Sequence, residues 1–145
     1  MTEKTNYNIN LDVKYKPLEL IDIPEIVQYC TEKWFNQTLT KVNDSVVRLG
    51  IVEGEFHWHK HDEDDEFFFV IEGKLIIEIE DRRFFDSAQN DNGSSFDSAQ
   101  NDIRTIELNP NQGVTIPKGV LHKPYAPKKT IMLMVETSEI KPTGD

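Results

Sequence analysis

The sequence predicts an all-β chain folded as a double-sheet jelly roll, with an N-terminal strand and one helix ahead of it. Three observations carry this. From Val46 onward, short apolar runs recur with turn residues between them. Residues 7–15 alternate apolar and polar side chains, the period of a half-buried strand. Finally, His59 and His61 are separated by one residue, which on a strand points both imidazoles to the same face.

The N-terminal strand rests on Tyr7, Ile9, Leu11, Val13 and Tyr15, with Asn8, Asn10, Asp12 and Lys14 between them. It is expected to extend a sheet edge, either of this chain or of a second subunit. Residues 22–34 change period. Ile23, Ile26, Val27, Cys30 and Trp34 follow helical spacing, with Asp22 as N-cap and Pro24 in the first turn. The helix is expected to pack over one end of the barrel, with Cys30 buried on its apolar face. Residues 1–45 therefore read as a strand and helix packed on a barrel formed by 46–145. Strands are expected near 46–52, 55–61, 66–71, 74–80, 103–108, 113–117, 120–124 and 130–136. Glu53-Gly54, Glu72-Gly73, Asn109-Pro110 and Ala126-Pro127 supply turns. Eight short strands at this spacing suit a jelly roll.

One stretch breaks the pattern. FDSAQND occurs at 85–91 and again at 96–102. Two polar copies make no solenoid, which needs several repeats and an apolar face. Removing this stretch joins Asp81-Arg82 to Arg104-Thr105 as an ordinary hairpin. Residues 84–102 thus read as an inserted, mobile loop.

Size and charge narrow the function. At 145 residues the chain suits one domain. A net charge of −10 argues against nucleic acid, whose phosphates demand a basic stripe. Cys30 stands alone, which excludes an internal disulfide and fits a cytoplasmic setting. The start MTEKTNYNIN is not a signal peptide, and no apolar run is long enough to span a membrane.

The chemistry concentrates in two segments. The first is His59-x-His61, four residues, Glu66, six residues, Gly73; the second is Gly113, three residues, Pro117-x-Gly119, two residues, His122. In a β-rich chain this is metal-ligand spacing. Glu66 adds a carboxylate to the histidine pair, and His122 returns from a later strand. Three imidazoles and a carboxylate suit Fe, Mn, Ni, Cu or Zn as a divalent ion, and the lack of thiolates excludes a Cys-rich structural zinc site.

These two segments resemble the paired motifs of the cupin superfamily, in its small single-domain, cupin 2 or mannose-6-phosphate isomerase-like form. The resemblance runs from about Val46 to Glu136. It departs in two details: Glu53 stands where the first motif has its opening glycine, with Gly54 offset by one, and Tyr125 stands where an asparagine usually follows the last histidine. The resemblance implies a double-stranded β-helix, a metal held by His59, His61, Glu66 and His122, and a homodimer. Self-association is also expected from the strand EFFFVIEG, where Phe67, Phe69 and Ile71 oppose Phe68 and Val70; Trp58 likewise opposes the histidines.

His57 is a candidate for orienting a ligand, acting as a base, replacing a ligand or filling the wall. Tyr125 is a candidate hydrogen-bond donor at the pocket mouth. Asp62, Glu63, Asp64 and Asp65 read as a solvated turn. Lys60, Lys118 and Lys123 flank the motifs, too sparse for a sugar-phosphate site. The function expected is a metal-dependent enzyme on a small organic molecule, of oxygenase or isomerase/lyase type. The alternative is a non-catalytic binding or sensor cupin.

Overall fold

The computed structural model describes residues 7–80 and 103–145. Its elements are β1 (Asn8–Asn10), α1 (Ile23–Tyr29), β2 (Trp34–Val42), β3 (Ser45–Glu55), β4 (Glu66–Glu72), β5 (Leu75–Glu80), β6 (Ile103–Leu108), β7 (Gly113–Ile116) and β8 (Leu121–Thr137). Strands pair in the order β1-β2-β3-β8-β4-β7, while β5 joins β8 on one side and β6 on the other. The ladder is an open jelly roll rather than a closed barrel. The predicted all-β class with one helix is what the chain adopts. No described helix is long and apolar enough to cross a membrane.

Alternation along β3 divides the core in two. Gly50 and Val52 face the interior, beside Trp34, Phe56, Phe68, Met132 and Met134. Leu49 and Ile51 face the other way and join Leu39 and Ile131 in a second cluster, covered by Ile23, Ile26 and Val27 of α1. Burying an aliphatic side chain of this size fully stabilises the fold by roughly 2 kcal/mol; the helix residues are only partly buried and share the cover with Tyr15, Ile21 and Phe35. Asp22 caps α1, its side chain accepting from the Glu25 N–H at 3.3 Å.

Several boundaries differ from expectation. The helix stops at Tyr29, and Trp34 opens β2 instead of closing the helix. β2 pairs antiparallel with β3 from Trp34↔Val52 to Val42↔Ser45, so the sheet begins ahead of residue 46. Of the strand predicted over 7–15, only Asn8–Asn10 is a strand, parallel to β2 of the same chain. The strand predicted over 55–61 is absent. Gly54, at φ +98°, sits at a register shift near the end of the β3 ladder, and residues 56–65 are irregular apart from one bridge at His59. Conversely, the two strands expected at 120–124 and 130–136 are one. β8 passes through Pro127 because 127–129 bulge out of the ladder between Gly54↔Ala126 and Val52↔Thr130. The repeat at 84–102 lies outside the described residues. On either side of it, β5 and β6 pair as the arms of a hairpin, to Glu80↔Ile103.

The β4–β5 turn requires its glycine. Gly73 has φ +95°, and a Cβ there would lie 2.5 Å from Thr130 Oγ1 and 2.8 Å from the Thr130 Cα. Thr130 Oγ1 in turn accepts from the Lys74 N–H at 3.0 Å, which locks the turn to β8. Gly54 has a similar φ but nothing within 4 Å of a built Cβ. Gly73→Ala is therefore expected to cost about 3 kcal/mol in urea unfolding, and Gly54→Ala about 1 kcal/mol, the strain alone. Equal losses would contradict the steric account.

Candidate metal centre

Backbone pairing brings the two motif segments together. The His59 N–H donates to the His122 carbonyl and the His122 N–H to the His59 carbonyl, each at 2.9 Å. The Gly119 N–H donates to the His61 carbonyl at 2.7 Å, which fastens the Pro117–Gly119 turn to the histidine segment. Glu66 opens β4, with its side chain on the inward face shared by Phe68 and Val70. His59, His61, Glu66 and His122 are all buried, and each offers a ligand atom within 4.8 Å of the others.

The ring nitrogens are sorted by their partners. His59 Nδ1 lies 3.1 Å from the His57 carbonyl, and His122 Nδ1 lies 2.9 Å from the Val120 carbonyl. A carbonyl only accepts, so both Nδ1 atoms carry the proton and a neutral ring leaves its Nε2 lone pair free. His122 Nε2 then sits 3.2 Å from Glu66 Oε1, lone pair against carboxylate. His61 Nε2 lies 3.5 Å from the same oxygen, and neither His61 nitrogen has a hydrogen-bond partner. Buried polar atoms left in this way are costly. A cation among them would satisfy the Glu66 carboxylate, the free nitrogens of His59 and His122 and one nitrogen of His61, so the residues fit a metal ion.

Burial pushes the His59 imidazole down to about 4, and the charge of His122 adds to this. For Glu66, burial opposes ionisation, but the His122 and His61 imidazoles 3.2 and 3.5 Å from its Oε1 favour the carboxylate whenever they are protonated and hold the carboxyl well below the usual range. Glu136 moves the other way. Burial and the neighbouring Glu66 push it up, against the pull of Arg48.

Arg48 and Glu136 were missed in the sequence. Arg48 Nε lies 2.6 Å from Glu136 Oε1, close enough for an ion pair but outside hydrogen-bond alignment, and both side chains are buried. Their phase was the available signal: Arg48 alternates with inward Gly50 and Val52, and Glu136 with inward Met132 and Met134. Asn36 was missed as well. It lines the chamber beside His59 and Glu66, and its Oδ1 is buried without a partner. The other walls are apolar, among them Trp34, Phe56, Phe68, Met134 and Pro142.

Of the remaining sequence candidates, His57 borders the ligand group, its ring centroid 5.4 Å from that of His59. His57 stacks on Phe56 with ring centroids 4.3 Å apart, while its nitrogens meet the Tyr7 hydroxyl at 3.4 Å and the Thr143 carbonyl at 2.6 Å. Tyr125 lies on the opposite face of β8 from His122, because strand side chains alternate. The acidic turn is more than solvated: Asp64 accepts from the Thr137 hydroxyl and Asp65 from the Lys118 N–H. Lys60 pairs with Asp62, and Lys123 with Glu55.

No protein-family model matches the chain. The uncharacterized protein YdbB of Bacillus subtilis (strain 168) is 33% identical over 105 residues, which span 72% of this chain and 74% of that one. A cupin-2 domain containing protein from Shewanella frigidimarina NCIMB 400, known from its crystal structure, is 29% identical. It superposes with a TM-score of 0.61 over 81% of this chain and 94% of its own. Hydroquinone 1,2-dioxygenase PnpCD, in complex with Fe3+, superposes with a TM-score of 0.62 at 14% identity, over 83% of this chain and 33% of that one. That likeness is one of fold alone.

The depressed His59 pKa gives metal-free protein a defined acid sensitivity. The unfolded imidazole takes up its proton near 6.5 and the folded one near 4, so between these values the unfolded state binds more protons. The stabilisation is complete above pH 6.5 and is lost as pH falls toward 4, a drop of about 3 kcal/mol. Urea midpoints measured across this window should fall in the parent and flatten in His59→Gln. Parallel slopes would contradict the assignment.

Proposed function

The chain is a small cupin and belongs to one family with Bacillus subtilis YdbB; from that premise we propose that it binds one divalent transition metal ion and acts on a small organic molecule. The observation that carries this is the buried convergence of His59, His61, Glu66 and His122, with the His61 nitrogens unpartnered. His59, His61 and His122 would hold the ion through imidazole nitrogens and Glu66 through its carboxylate, a donor set suited to iron, manganese, nickel, copper or zinc. The ion would supply a Lewis acid or an oxygen-activating centre.

The chain's own groups do the rest. The His57 and Val120 carbonyls fix the tautomers of His59 and His122, so that Nε2 is the donor in each. Arg48 and Glu136 are buried as a close pair, and the charge of Glu66 is felt by Glu136, so the two carboxyls are electrostatically linked. Apolar walls exclude water, which strengthens every electrostatic contact inside. Asn36 Oδ1 offers an acceptor for a hydroxyl or amine of the bound molecule.

A ligand-binding or sensor role without turnover has one observation in its favour: the chamber leaves only about 20 Å³ open, room for roughly one water. Metal analysis comes first. Protein purified without chelator should carry close to one equivalent of metal, lost in His59→Ala/His122→Ala. A parent that holds none, even after reconstitution with Fe(II) or Zn(II), would sink the proposal. Oxygen consumption or product formation with the loaded protein then separates the enzyme from the sensor.

Self-association is proposed from the outer face of β4, where Phe67 and Phe69 are half-buried with ring centroids 6.4 Å apart. Sedimentation equilibrium should give twice the chain mass of 16.8 kDa. A single-chain mass at micromolar concentration would rule the dimer out.

A further inference from the structure

After β8 the chain turns back across the histidine segment. Ile140, which is buried, anchors this return, with its N–H bonded to the Thr137 carbonyl at 3.3 Å. Pro142 then forms part of the chamber wall beside His59 and Glu66. The Thr143 carbonyl accepts from His57 Nε2 at 2.6 Å. Gly144, at φ +95°, lies so close that a Cβ there would come 2.6 Å from the His59 Cβ. Asp145 fastens the end twice: its N–H donates to the Lys60 carbonyl at 2.9 Å, and its Oδ2 accepts from the Asp62 N–H at 2.7 Å.

We propose that residues 141–145 are a releasable strap over the mouth of the metal-ligand chamber, latched by His57 and by the Lys60–Asp62 backbone. It rests on the proposed function only for what the strap guards; that it covers the histidines is a matter of geometry. Between its anchors no strap residue is buried: Lys141, Thr143 and Asp145 are exposed, and Pro142 and Gly144 are half-buried. Opening it therefore breaks a few accessible hydrogen bonds and uncovers little apolar surface, which places it at the low end of local opening free energies. With the strap seated, the chamber has room for roughly one water. Lifting it removes Pro142 from the wall and widens the way in for a molecule that reaches both Asn36 and the ligand group. His57 gains a definite part here. Its Nε2–H holds Thr143, and its Nδ1 faces the Tyr7 hydroxyl, so the latch is tied to the N-terminal segment as well.

Chemical accessibility of the histidines tests this without any metal. Two variants are compared with the parent. Gly144→Val places a side chain where none fits and at a φ that L residues avoid; the second variant lacks residues 141–145. Metal-free proteins are treated with diethyl pyrocarbonate, and modification of His59 and His122 is followed by peptide mass spectrometry, with cooperative urea unfolding verifying the fold. Both histidines should react at least about tenfold faster in the variants, as local opening replaces larger fluctuations. Rates within about twofold of the parent in a folded variant would overturn the proposal and leave the segment a purely structural ending. If Gly144→Val fails to fold, the deletion variant decides alone. The same proteins loaded with Co(II) should release it faster to dipicolinate than the parent does. A parent that takes up no metal would defeat the proposed function, while the modification rates would still decide the strap.

Discussion

β8 pairs with β3, β4 and β5 at once, and most of the architecture depends on that. Its second half pairs with β3 and β4, from Val52↔Thr130 to Ser45↔Thr137 and from Glu72↔Ile131 to Phe67↔Val135. Its first half pairs with β5, placing Ile79 opposite His122. A period-two side-chain pattern cannot slip by one residue without turning every inward group outward. The pairing that orients Met132 and Met134 therefore also fixes Glu66 through β4 and His122 through β5. The His59–His122 bridge adds the irregular segment to the same frame. Four potential ligands from three stretches of chain converge because one strand sets the register for all of them.

The interior bears a cost for this convergence. Arg48, Glu66 and Glu136 are buried together, and desolvating each charge costs several kcal/mol before any attraction is counted. Attraction between Arg48 and a carboxylate repays part of it. Burial beside Glu66 also favours the neutral form of Glu136, which would lessen the charge buried here. Asn36 Oδ1 and Thr38 Oγ1, on the same inward face of β2, remain without protein partners. An apolar core of the same shape would be easier to stabilise, so this polar lining makes sense as a surface meant to meet something.

Much of this was legible in the sequence because it depended on type and spacing. The two motif segments named the four buried residues that converge, His59, His61, Glu66 and His122. Apolar alternation and turn residues named most of the strands. What escaped depended on context. WFNQTLTKV sets Asn36 and Thr38 inward and carries a bulge between Thr38 and Thr40, so its pattern suits neither a clean strand nor a helix. Trp34 matched a helical stripe only by coincidence of spacing. Pro127 signalled a turn but was accommodated as a bulge. The contacts of His57 lie with Tyr7 and Thr143, fifty and eighty-six residues away, where no local pattern reaches. The spacing of the histidine pair suggested a strand, yet one bridge to His122 is what holds it.

The β5–β6 hairpin has a meaning for how such a chain can change over time. Its rungs run without interruption from Leu75↔Leu108 to Glu80↔Ile103, and among the described residues β6 pairs with nothing else. An unbroken ladder is indifferent to how many residues join its far end, since closing a longer flexible connection costs only about 0.6 kcal/mol per doubling of length. That end lies one rung beyond Ile79↔His122. Sequence can lengthen beyond that rung while every rung that positions His122 stays as it was. The hairpin is a place where duplication is tolerated first and can be put to use later.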